Sequence, residues 1–318
     1  MKLINTADLR RKVRGAFGPY VIHRLERAAA KRSWPQMQDY ARKLGRFGYR
    51  IDRRHRRDAA RQLGFAFGDE LSHDELDQVI CGCFQHLVML FMEALRMTSM
   101  SKEELSEVTY ITGGEYLAEA LEHGKGAILF SGHFGNWEVG AMRLMYEGFP
   151  LVPLSRSARS PRIAKTILEI RDRLGFPVIP ISEGARGILR ALKHNQLVPI
   201  MPDRFARGQG LTVPFFGRET HVWHTPALMA QRAGCPIIPA HSIREQDGRY
   251  QVALEPPIRL PDTGDRDRDV WLTTAQTMKS LEGRLRAHPE QYTWPYHLWR
   301  PGWDLPSPYP LTDADETA

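Results

Sequence analysis

The stretch Ala127-Ile128-Leu129-Phe130-Ser131-Gly132-His133-Phe134-Gly135-Asn136-Trp137-Glu138 limits what this chain can fold into more than any other. Its four apolar residues are too few for a helix, and glycines break the run at once. From Asn136 onward the apolar residues Trp137, Ala141, Leu144 and Met145 recur at helical spacing. A buried strand that turns directly into a helix is the repeating unit of an α/β fold, and the unit recurs downstream. Strands are expected at 151–154, 178–181 and 197–201, with helices at 162–174 and 184–194 between them. Asp247-Gly248 is a hairpin signal between 237–243 and 249–254, so the later part of the sheet is expected to be antiparallel. Thr225, Pro226 and Gly234 mark the cap, first turn and end of a further helix.

Upstream of this core the signals are helical. Ser101-x-x-Glu104 is a capping box, and 115–123 before Gly124 reads as a helix that ends where the first core strand begins. The expected fold is therefore α/β, a mixed, mostly parallel sheet flanked by helices, behind a helical N-terminal region. The divisions are a basic amphipathic arm at 1–60, a helical part at 61–124, the core at 125–300 and a tail at 301–318. The Asp- and Arg-rich stretch 262–269 is expected to be a loop.

The corner after the first core strand carries chemistry. A chain with 12 His and 37 Asp and Glu contains a His-x4-acid pair by chance, so the spacing alone decides little. Placed at a strand-to-helix corner, however, His133 stands on the turn and Glu138 on the first helical turn, where Gly132 and Gly135 permit the bend. A neutral imidazole with a carboxylate to fix its tautomer suits transfer of an acyl group from a thioester to a hydroxyl. A thioester is already activated, so no enzyme nucleophile is needed. His133 is the expected base and Glu138 its orienter, with N–H groups after Gly135 facing the developing oxyanion. A corner histidine satisfied by a carbonyl beside a surface glutamate is the plain alternative.

At this point the residues resemble the bacterial lipid A acyltransferases and their phosphatidylinositol mannoside acyltransferase relatives. The resemblance runs from about Leu44 to Arg300. It includes Arg156-Ser157-Ala158-Arg159-Ser160-Pro161, Pro202-Asp203 with Gly210 to Gly217, and Pro289-Glu290-Gln291-Tyr292-Thr293-Trp294. It implies a glycerolipid-acyltransferase-like fold, catalytic His133 and Glu138, an acyl-carrier-protein or coenzyme A thioester donor, and a lipid acceptor. The most specific expectation is a lipid A precursor; a lysophospholipid or phosphatidylinositol mannoside acceptor is the alternative.

The other candidate site residues are Arg156, Arg159, Asp203, Arg204 and Asn136, expected to bind substrate. Arg156, Arg159 and Arg162 enter a helix where the dipole disfavours cations, which points to a bound anion. Asp203 is expected to orient Arg156 or the acceptor. Ser182-Glu183-Gly184-Ala185-Arg186 is similar to a glycerolipid-acyltransferase phosphate motif, but stands at the wrong place in chain order. His221 and His224 lack helical ligand spacing, so neither a metal nor another cofactor is expected. A metal-dependent hydrolase is the alternative from a different class; a serine hydrolase lacks its Gly-x-Ser-x-Gly signature.

Charge is uneven. Residues 1–61 hold 18 Lys and Arg against 5 Asp and Glu, whereas the remainder holds 26 against 32. A nucleic-acid module would carry its basic residues through the core, so no nucleic acid partner is expected. Val13, Phe17, Val21 and Leu25 fall among arginines, as in a helix lying on an anionic membrane. The first 14 residues lack the apolar core of a signal peptide, and the apolar run 79–92 is too short to span a bilayer. Three cysteines, Cys81, Cys83 and Cys235, fit a reducing compartment. The expected place is peripheral, on the cytoplasmic face of the inner membrane.

Overall fold

The computed structural model describes residues 24–97, 99–155, 177–206, 208, 210–296 and 298–299. After a helical stretch at 24–30 come three long helices: α1 (Trp34–Ile51), α2 (Arg53–Phe67) and α3 (His73–Met97). Ser33 and Gln36 form a capping box that starts α1, and Asp52 caps α2. Gly45 lets α1 cross α3 closely, since a Cβ there would stand 2.4 Å from the Gln85 Cα. Then follow α4 (Lys102–Glu107), capped by Ser101 with Glu104 as expected, β1 (Thr109–Thr112) and α5 (Gly114–Glu122).

The core alternates β2 (Ala127–Phe130), α6 (Trp137–Tyr146), β3 (Leu154–Ser155), β4 (Ile179–Pro180), α7 (Gly184–Lys193) and β5 (Leu197–Ile200). An antiparallel hairpin, β6 (Leu211–Phe215) with β7 (Arg218–Val222), precedes α8 (Thr225–Ala233). The chain closes with β8 (Ile237–Arg244), β9 (Tyr250–Leu254) and α9 (Arg266–Ala287). The main sheet has the order β1-β9-β8-β2-β5. It is parallel at β1/β9, β8/β2 and β2/β5 and antiparallel only at the β8/β9 hairpin. This is the expected mixed, mostly parallel sheet.

Strand β2 is buried along its whole length, because it lies between β8 and β5 with helices over the faces. Met278, Leu281 and Leu285 of α9 pack with Phe130, Ile200 and Ile237 in the largest apolar cluster. An aromatic group of Phe67, Phe215, Phe216, Trp294 and Trp299 extends that cluster. The buried Trp271 indole donates to the Thr212 carbonyl at 2.8 Å, which removes the cost of an unpaired N–H.

Several boundaries differ from expectation for local reasons. The Asp-rich stretch does not stay a loop: Asp265 accepts from the N–H groups of Asp267 and Arg268, and α9 starts at Arg266. Between Leu151 and Leu154 the ladder is partial: Val152 N–H donates to the Leu197 carbonyl and the Pro153 carbonyl accepts from Ile179 N–H, but Pro153 has no N–H to donate. The expected helical part at 61–124 also supplies the edge strand β1. The cap of α8 is His224, one residue before the expected Thr225. Helix 162–174, the residues 1–23 and the tail lie outside the described residues.

Helix α3 revises one expectation. It runs 25 residues, and by length and composition alone it is apolar enough to cross a membrane, while 44% of its apolar stretch is buried within the protein. Its length does not argue against spanning. Its packing does, because His86 and Glu93 are fully buried and bonded to other elements. Cys83 is buried on the same helix, and burial pushes its thiol well up, as in packed core.

Candidate active site

The site grows out of strand register. Phe130 pairs with Ile200 across parallel β2 and β5, and Ser131 N–H donates to the Ile200 carbonyl at 3.2 Å. His133 and Asp203 each follow three residues later, so the register delivers them side by side at the carboxyl ends of the strands. This is where open α/β sheets place ligands. His133 Nδ1 lies 2.7 Å from Asp203 Oδ1, and the His133 backbone N–H donates to Oδ2 at 2.7 Å. The Tyr292 hydroxyl donates to Oδ2 at 3.0 Å.

The carboxylate therefore fixes both the ring and the main chain of His133. Because it accepts, Nδ1 carries the proton and Nε2 keeps its lone pair. The His133 side chain is 14% exposed and that of Asp203 is 0% exposed, so only the imidazole reaches outward. Burial opposes ionisation of Asp203, but the charge of a protonated His133, its two bonds and the Tyr292 hydroxyl prevail and hold the carboxyl below its usual range. Burial and the neighbouring Asp203 push the Tyr292 hydroxyl well up, so it stays a donor.

Glycines make the corner possible. Gly135 has φ +59°, and a Cβ there would lie 1.8 Å from the Ser242 carbonyl oxygen. A Cβ at Gly132 would meet Leu281 at 2.7 Å and Asp203 Oδ2 at 3.3 Å. After the turn, Asn136 caps α6 by accepting from Val139 N–H at 3.3 Å, and the Trp137 ring stands edge-on to His133 with centroids 5.3 Å apart.

Several assignments change. Nδ1 is held by Asp203 rather than by Glu138, the carboxylate expected there. Asp203, expected to orient Arg156 or the acceptor, is itself buried. Glu138 is half-buried on the first turn of α6. Asn136, expected to bind substrate, is fully buried with its amide on Glu93 at 2.8 Å and its oxygen on the cap. Gly135 and Asn136 N–H groups donate to the Gln291 and Ser242 carbonyls, so neither is available to an oxyanion. Arg204 is exposed beside Asp203, with its guanidinium carbon 4.5 Å from the Tyr296 ring centre. Arg156, Arg159 and Arg162 lie outside the described residues.

The segment Pro289-Glu290-Gln291-Tyr292, part of the family resemblance, closes the back of the site. Gln291 brackets Arg244 with two hydrogen bonds, Arg244 N–H to Oε1 at 2.9 Å and Nε2 to the Arg244 carbonyl at 2.8 Å. Phe134 bridges Tyr292 in antiparallel fashion. Tyr292 had no separate signal in the sequence beyond that motif. Both nitrogens of His221 are engaged, Nε2 by Gly210 N–H at 3.2 Å and Nδ1 with the Thr212 hydroxyl at 3.1 Å. Among the described residues no group of three or more His, Cys, Asp or Glu side chains is gathered as a metal ion requires.

Residues 29–301 match the family model described as Bacterial lipid A biosynthesis acyltransferase. The phosphatidylinositol mannoside acyltransferase of Mycolicibacterium smegmatis is 27% identical over 234 residues, covering 72% of this chain and 74% of that one. The lipid A biosynthesis lauroyltransferase of Escherichia coli is 25% identical over 265 residues, covering 79% and 81%. Lipid A biosynthesis acyltransferase 2 of Shigella flexneri is 21% identical over 266 residues, covering 79% and 80%.

Proposed function

Because the chain belongs to the bacterial lipid A biosynthesis acyltransferase family and is thus an acyltransferase, we propose that it moves a fatty acyl chain from a thioester to a hydroxyl of a glycolipid. The acceptor we favour is a lipid A precursor, and the donor an acyl-carrier-protein or coenzyme A thioester. The observation that carries this reading is the His133–Asp203 pair, an imidazole whose Nδ1 is held by a carboxylate so that Nε2 is its basic nitrogen. Nε2 takes the acceptor proton as the hydroxyl oxygen attacks the thioester carbonyl. The tetrahedral intermediate then collapses, the carbon–sulfur bond breaks, and the imidazolium returns the proton to the leaving thiolate. Asp203 stabilises the imidazolium throughout.

The developing oxyanion is assigned to the first turn of α6, whose positive dipole end adjoins His133. Glu138, on that same turn, is assigned to the substrate side of the site rather than to Nδ1. Arg156, Arg159 and Arg204 are assigned to an acidic headgroup or donor phosphate, with Arg as the residue suited to paired contacts.

Attachment is assigned to the basic N-terminal part on the cytoplasmic face of the inner membrane. Phe47 and Ile51, 59% and 63% exposed at the end of α1, stand among the exposed Arg46, Arg50, Arg53, Arg54 and Arg57. Apolar side chains ringed by cations suit an anionic lipid surface. A phosphatidylinositol mannoside acceptor is the second reading, favoured by the 27% identity to that acyltransferase.

The test supplies labelled acyl thioester, on coenzyme A or on acyl-carrier protein, with either lipid A precursor or phosphatidylinositol mannoside in anionic vesicles. Mass spectrometry of the lipid then reports a gain of one acyl group. Gain on the lipid A precursor supports the favoured acceptor, gain on the mannoside alone supports the second, and hydrolysis of the thioester without lipid acylation contradicts both.

A further inference from the structure

Glu93 lies fully buried near the C-terminal end of α3, and the chemistry above gives it no part. Its Oε2 accepts from the Asn136 amide at 2.8 Å and the Tyr250 hydroxyl at 2.6 Å. Its Oε1 accepts from the Gln38 amide at 2.8 Å and stands 4.0 Å from Arg244 Nε. One carboxylate thus joins α1, α3, the cap of α6, β8 and β9. Burying a carboxylate and a guanidinium together is expensive, and apolar residues of similar volume hold elements together at least as well. The pair therefore needs an explanation other than adhesion.

Two chains of contacts lead from Glu93 to the catalytic pair. The first runs through Asn136. A carboxylate on one side obliges the amide to present Nδ2 there, and this aims Oδ1 at Val139 N–H, which starts α6. The first residue of α6, Trp137, is the ring against His133. The second runs through Arg244, which also contacts His86 Nδ1 and donates to the Tyr250 hydroxyl at 3.1 Å. The Arg244 backbone is bracketed by Gln291, and the next residue, Tyr292, donates to Asp203. Burial together with the Arg244 charge holds His86 well below its usual range, so it accepts as a neutral ring.

We propose that Glu93 is a positioning residue for acyl transfer, setting His133 through Asn136 and Asp203 through Arg244, Gln291 and Tyr292. This rests on the acyl-transfer reading above. A single buried carboxylate thereby keeps both halves of the pair in one geometry, and misplacement of reacting groups by a fraction of an ångström is what such a network prevents.

The experiment compares wild type, Glu93→Gln, Asn136→Ser and the double variant Glu93→Gln/Asn136→Asp, each as folded full-length protein. The assay uses lauroyl-coenzyme A and lipid A precursor, and a second readout follows the pH midpoint of His133 carbethoxylation by diethyl pyrocarbonate, which needs no substrate. Glu93→Gln is expected to lower kcat on the order of tenfold with both KM values within about twofold, and to shift the His133 midpoint. Adding Asn136→Asp should recover most of the loss, because the new amide donates to the new carboxylate and aspartate still caps the helix. Wild-type kcat and midpoint in folded Glu93→Gln overturn the proposal, as does a loss that Asn136→Asp leaves untouched. Where Glu93→Gln does not fold, Asn136→Ser decides: serine retains the cap but not the donation to Glu93, so wild-type kcat and midpoint there overturn the proposal. Absence of turnover by wild type overturns the acyl-transfer reading instead, and the His133 midpoint still decides the role of Glu93.

Discussion

His133 Nδ1 and Asp203 Oδ1 lie 2.7 Å apart although 70 residues separate them in the chain. The pairing of Phe130 with Ile200 is the cause, since both site residues stand at the same offset beyond it. Glu138, five residues from His133, has no such register to bring it onto Nδ1. Glu138→Gln should therefore leave the His133 titration where it is in wild type, whereas Asp203→Asn should move it. Histidine NMR across pH makes the comparison. A shift in Glu138→Gln equal to that in Asp203→Asn would return the orienting role to Glu138.

Gly135→Ala should destabilise the fold by about 2–4 kcal/mol, because the added Cβ meets the Ser242 carbonyl and the backbone holds φ +59°. Urea unfolding with an unchanged m-value measures it. An effect as small as that of Gly208→Ala, where a Cβ meets nothing within 4 Å among the described residues and φ is also positive, would show that the close approach to Ser242 relaxes freely.

Stability should fall as pH drops from about 6.5 toward 4. Burial lowers His241 from its ordinary 6.5 to about 4, despite the opposing pull of Glu255, and lowers His86 in the same direction. In that interval the unfolded chain takes up protons that the folded chain refuses, so acid favours unfolding by roughly 1.4 kcal/mol per unit of difference for each group. His241 faces Phe130, Phe134 and Glu255, with Arg284 and Asp203 also acting on it. His241→Asn should flatten the loss in this interval, as read by denaturant unfolding at pH 7 and pH 5. Asp203 adds a separate loss at lower pH: its depressed carboxyl stabilises the fold above the ordinary carboxylate range and ceases to do so as pH falls through its folded value.

The strand-to-helix corner was legible because its two signals are local, a four-residue apolar run and the helical spacing after Asn136. The β8/β9 hairpin was legible from Asp247-Gly248, whose glycine has φ +88°. The Asp203 role was not, because which carboxylate meets Nδ1 depends on the register of two strands far apart in sequence. Asn136 departs from expectation in the opposite way. Its position beside His133 suggests substrate contact, and only the long-range partner Glu93 shows that its amide is already spent. Start of α9 was hidden by alternating Asp and Arg, a pattern that serves equally as a loop or as a capped first turn.

The most direct test is kcat for acyl transfer by wild type, His133→Ala and Asp203→Asn, with cooperative unfolding checked for each. His133→Ala removes the base and should lower kcat by about 10²–10⁴-fold. Asp203→Asn should cost a comparable factor, because an amide permits the wrong tautomer and leaves the imidazolium uncompensated. Folded His133→Ala with wild-type kcat would contradict the mechanism, and folded Asp203→Asn with wild-type kcat would contradict the pairing on which it depends.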